Sequence, residues 1–110
     1  MIPVYRYRAK VNRVIDGDTY VLDVDLGFRC TLTISIRVHD YDAPELHGAD
    51  AARGLLAKDA AASLLSQGPI VIESYKDARS FERWVADVYV GGELIATQLT
   101  AAGHVKATLE

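Results

Sequence analysis

At 110 residues and 12.0 kDa the chain has room for one domain, residues 1–110, and a second is excluded. Half of its residues are hydrophobic and a quarter charged, a balance that supports one continuous core and argues against disorder. A net charge of -3 and a pI of about 5.5 speak against tight passive binding to a polyanion, and lean toward turnover over storage.

The N-terminal stretch Met1-Ile2-Pro3-Val4-Tyr5-Arg6-Tyr7-Arg8 lacks the apolar run of a secretory signal, and no run approaches membrane-spanning length. The expectation is a soluble, cytoplasmic protein with no membrane partner. From Tyr5 to Ile15 the apolar Tyr5, Tyr7, Ala9 and Val11 alternate with Arg6, Arg8, Lys10 and Asn12, which predicts a strand with one wet, basic face. Asp16-Gly17-Asp18 is a turn signal. Tyr20, Leu22, Val24 and Leu26 then share one parity of a second strand, with Gly27 closing a hairpin.

A third strand is predicted from Phe28, Cys30, Leu32, Ile34, Ile36 and Val38 on one parity, with Arg37 and His39 on the other. Cys30, the lone cysteine, excludes an intramolecular disulfide, and its apolar register predicts a core position. Beyond Pro44 the spacing of Ala52, Leu55, Leu56, Ala60 and Leu64 predicts a helix with that face inward, stopped by Gly68 and Pro69. Ile70 to Tyr75 and Arg83 to Val90 give two more strands. Leu94, Ile95, Leu99 and Ala102 form a short helix closed by Gly103. The order predicts an α+β, mainly β fold: a five-stranded OB-fold barrel with one helix after the third strand and a short C-terminal helix.

Chemistry-bearing residues gather where these strands end: Asp16-Gly17-Asp18-Thr19, then Arg37 followed by Asp42-Ala43-Pro44-Glu45, then Arg83 opening the fifth strand. Taken singly, Asp16 and Asp18 read as turn stabilisers, Asp42 as a cap before Pro44, and the arginines as surface ion pairs worth about 0–1 kcal/mol. Together, from roughly Val11 to Gly103, they resemble the staphylococcal (micrococcal) nuclease family. That family has a strand leading into Asp-Gly-Asp-Thr, an arginine separated by four residues from Asp-Thr-Pro-Glu, and a lone arginine at the start of the last strand. Ala43 departs from the family's threonine. The loop after Glu45 is shorter than the family's lysine-rich segment, and the sequence stops at Glu110, before the family's last helix. Dimerisation could add support to so small a barrel.

The resemblance implies a calcium-dependent phosphodiesterase that cuts single-stranded DNA and RNA with little sequence preference and leaves 3′-phosphate ends. It puts Asp18, Asp42 and the backbone carbonyl of Ala43 on Ca2+, with Asp16 and Glu45 reaching the ion through water. Carboxylates converging from separate segments repel one another unless a cation joins them, and calcium takes oxygen ligands. Arg37 and Arg83 would clamp the charge that builds on the phosphate oxygens, and Glu45 would place the attacking water, with proton transfer unassigned. Phe81 is a candidate for stacking on a base, with core packing the equal alternative. Arg6, Arg8 and Lys10 could track a backbone, although a solvated strand face is the default. His39 and Asp40 are read as an exposed strand end and solvated surface. The competing classes are a non-catalytic OB-fold nucleic-acid-binding module and a protein-interaction barrel.

Overall fold

Period-two patterning produces strands long enough to close on one another. The computed structural model describes residues 4–75 and 84–106. Along the chain it has β1 (Val4–Asp16), β2 (Thr19–Asp25), β3 (Thr31–Val38), α1 (Ala51–Leu65), β4 (Ile70–Tyr75), β5 (Trp84–Val90), a two-residue β6 (Glu93–Leu94) and α2 (Ile95–Ala101). Strands β3, β2, β1, β4 and β5 are antiparallel neighbours in that order, and a parallel pairing of Ile36–Val38 with Trp84–Ala86 joins β3 to β5. The result is the closed, mostly β, OB-fold barrel expected, with α1 after the third strand and α2 near the C-terminus. No helix among the described residues is long and apolar enough to cross a membrane.

The barrel is filled by one parity of each strand. Tyr20, Leu22 and Val24 of β2 meet Ile36 and Val38 of β3, Ile70 and Ile72 of β4, and Ala86, Val88 and Val90 of β5. Ala57, Ala61 and Leu65 of α1 and Ile95 and Leu99 of α2 complete the same cluster. Each large aliphatic side chain so buried contributes about 1.5–3 kcal/mol. Gly103, at φ 87, ends α2: its N–H donates to the Thr100 carbonyl at 3.0 Å, and the His104 N–H donates to that of Leu99 at 2.9 Å. This paired cap turns the chain back toward the barrel.

Three expectations are corrected. Cys30 is exposed, not core, and Phe28 is 99% exposed, because Gly27, Phe28 and Arg29 all take positive φ (78, 55 and 61). These residues make a hairpin tip whose backbone closes locally, Cys30 N–H to Gly27 O at 2.8 Å and Leu26 N–H to Cys30 O at 2.9 Å, so β3 begins only at Thr31. Val11 is exposed because the β1–β2 register shifts between Val11 and Arg13, and the inward parity passes from Tyr7 and Ala9 to Val14.

The third correction concerns α1, which buries Gly54, Ala57, Ala61 and Leu65 and leaves Leu55 and Leu56 at 53% and 60% exposure. Close approach decides which face is inward. A Cβ on Gly54 would stand 2.1 Å from the Glu45 carbonyl oxygen, so the helix lies directly on the Glu45–Leu46 backbone and admits only small residues there.

Candidate active site

The first acidic stretch is folded by its own short-range bonds. The Asp16 carboxylate accepts the Asp18 N–H at 3.0 Å, the local turn that Asp-x-Asp sequences favour. Gly17 lets that turn press inward, since a Cβ there would lie 2.7 Å from Cβ of Ala43 and 3.0 Å from that of Ala57. Tyr20, wholly buried, donates its hydroxyl to the Gly17 carbonyl at 2.6 Å. Burial, then the nearby Tyr41, Asp18 and Asp16, push the Tyr20 phenol well above its ordinary range and keep it a donor.

Pairing of β2 with β3 brings the second stretch alongside. Thr19 lies opposite Arg37, and the Val38 N–H donates to the Asp18 carbonyl at 2.9 Å. Asp18, 8% exposed, accepts the Thr19 hydroxyl on Oδ1 and the Ala43 N–H on Oδ2, each at 3.0 Å. Nη2 of Arg37 stands 3.8 Å from Asp18 Oδ2 and also donates to Asp42 Oδ1. Two carboxylates from separate segments therefore meet on one guanidinium nitrogen. A depression of about 390 Å³ opens beside them, lined by Arg37, His39, Tyr41 and Asp42 among others.

The acids in the turn are unequal. Burial raises the Asp16 carboxyl from 3.8 to about 6, helped by its hydrogen bond and repulsion with Asp18. Burial also acts to raise Asp18, but it is outweighed by hydrogen bonds from Asp16, the Ala43 amide and the Thr19 hydroxyl and by the charge of Arg37, which hold it below the ordinary carboxylate range. Asp18 is thus the fixed anion and Asp16 the proton holder of a coupled pair. Burial, then Asp18 and Asp16, push Tyr41 up to about 12.

The structure brings together Asp16, Asp18, Arg37, Asp42 and Ala43. Glu45 faces other partners: Lys106 Nζ is 3.4 Å from its Oε1, and His47 Nε2 is 3.1 Å from its Oε2. Among the described residues no three acidic, histidine or cysteine side chains lie close enough together to hold a metal ion. Arg83 and Phe81 lie outside the described residues. Asp40 is solvated as expected, but His39 is not a plain exposed strand end: it is partly buried, with Nδ1 3.2 Å from Asp87 Oδ1 and its N–H on the Ala86 carbonyl at 2.9 Å.

Gly17, Tyr20, Tyr41 and Lys106 support the site without having been singled out in the sequence. Gly17 and Tyr20 carried a signal, one inside the Asp-Gly-Asp turn and the other first in the apolar parity of β2. Lys106 carried none. The basic face of β1 proves to be matched by acids: Arg8 lies opposite Asp25, Lys10 opposite Asp23, and Arg6 is 3.7 Å from Glu73. These cross-strand pairs favour the solvated-face reading. The sequence matches no family model and no curated protein.

Proposed function

We propose that this chain is a calcium-dependent phosphodiesterase that hydrolyses DNA and RNA with little sequence preference and leaves 3′-phosphate ends. One observation carries the reading: Asp18 and Asp42 converge from distant stretches on the single cationic group of Arg37. The donor set is oxygen only and anionic, which fits a hard divalent cation. With no three acids in contact, Asp18, Asp42, the Ala43 carbonyl and water would hold the ion, and Asp16 and Glu45 would act through water. Bound there, calcium offsets phosphate charge and acidifies water.

The chain's own residues supply the rest. Arg37, a third exposed, can exchange a carboxylate for a phosphate oxygen, and Arg83 would be its partner on the transferred phosphoryl group. Glu45 places a water for in-line attack on phosphorus. The water oxygen forms the new bond to phosphorus as the bond to the 5′-oxygen breaks; the attacking water gives up one proton to solvent, and the leaving oxygen takes one from it. The matched charges on β1 weigh against a passive nucleic-acid-binding barrel, which would draw on a surplus of cations.

The test is cleavage of single-stranded DNA and RNA in calcium, in EDTA, and by Arg83→Ala. The reading expects 3′-phosphate products in calcium, none in EDTA, and a loss of about 10²–10³ in rate for the variant. Cleavage that persists in EDTA sinks the calcium mechanism. Failure to cut any nucleic acid in millimolar calcium returns the chain to the binding-module class.

A further inference from the structure

The residues that follow α2 form a strap across the site. After Gly103 reverses the chain, the Tyr41 hydroxyl donates to the His104 carbonyl. Arg53 Nη2 donates to the Val105 carbonyl at 2.6 Å, and the Lys106 N–H donates to the Asp42 carbonyl at 3.2 Å. Three consecutive residues are thus tied to the site loop and to α1. The last of them presents its ammonium to Glu45 at 3.4 Å.

Taking the phosphodiesterase reading as its basis, we propose that Lys106 is a positioning residue for Glu45, fixing the direction of the carboxylate that places the attacking water. Glu45 is about half exposed, at 49%, on a segment with no strand or helix of its own, so its side chain would otherwise spread over many rotamers. His47 contacts the other oxygen, but its side chain is 83% exposed and it precedes Gly48 at φ 71, on an exposed loop. Lys106 has the better anchor, because its own backbone is hydrogen-bonded to Asp42, one of the two converging carboxylate residues. A pair as exposed as Lys106–Glu45 is a weak restraint, so its consequence is a modest bias in the direction of the carboxylate.

The experiment measures kcat and KM on single-stranded DNA in calcium for the full chain and for Lys106→Ala and Lys106→Arg, with and without Glu45→Gln. The proposal expects Lys106→Ala to lower kcat by up to about fivefold, the most that so exposed an ion pair can hold, with KM little changed. Lys106→Arg should restore most of the rate, and Lys106→Ala should cost nothing further once Glu45 is Gln. Wild-type kcat in Lys106→Ala overturns the role, as does an equal loss in both backgrounds or a large drop in melting temperature. A wild-type chain that cuts nothing overturns the phosphodiesterase reading and this role together, an outcome distinct from the other three.

Discussion

Asp16→Asn isolates the proton-holding half of the acidic turn. In the folded chain Asp16 keeps its proton up to about pH 6, against 3.8 for the free group, so between these values the native state binds more protons than the unfolded one. Stability from this group is therefore fully present below about pH 4 and is lost as pH rises through about 6. A rise from 3.8 to about 6 is worth at most about 3 kcal/mol, and screening at a half-buried site brings this to about 1–2 kcal/mol. Asn cannot ionise, yet its oxygen can accept the Asp18 N–H and its amide can donate to Asp18 as the protonated acid does. Asp18, whose carboxyl is held low, acts in the opposite sense: its contribution is lost only as pH falls below about 4, outside this window. Urea unfolding in EDTA from about pH 4 to pH 7 should show wild type losing about 1–2 kcal/mol relative to Asp16→Asn, which stays level. Parallel curves for the two proteins across that window would mean that Asp16 does not hold its proton in the folded chain.

Gly54→Ala sets helix propensity, which favours Ala by about 1 kcal/mol, against a Cβ 2.1 Å from the Glu45 carbonyl oxygen. Backbone cannot swing aside as a side chain can, so the clash wins: the melting temperature should fall by roughly 5–10 °C in a circular dichroism melt, and an unchanged value would show that the helix does not lie on the Glu45–Leu46 backbone. Tyr20→Phe removes the donor to the Gly17 carbonyl inside the acidic turn and should cost about 1–2 kcal/mol in urea unfolding. A loss under a few tenths would mean that the carbonyl finds another partner.

The barrel was legible in the sequence because parity survives along Tyr20–Val24 and Ala86–Val90, where one face is wholly apolar. It failed at Phe28 and Cys30, which keep the apolar parity through a tip whose three left-handed residues break the strand. It failed again on α1, since Leu55 and Leu56 are the strongest hydrophobic signal in the helix, whereas Gly54, Ala57 and Ala61 are buried by virtue of their size. Convergence of Asp16, Asp18, Arg37 and Asp42 was legible through the resemblance of their spacing to a known family, since singly each residue reads as a turn, a cap or a surface ion pair. The hold of Lys106 on Glu45 spans 61 positions and has no local pattern to announce it.

Sharing of one calcium ion by Asp18 and Asp42 can be measured by calorimetric titration of calcium into the wild-type chain and into Asp42→Asn, with circular dichroism to verify the fold. One calcium per wild-type chain is expected, with an affinity at least about tenfold weaker in the variant, as loss of a charged oxygen ligand requires. Equal binding by both proteins, or no heat from wild type in millimolar calcium, would contradict that sharing.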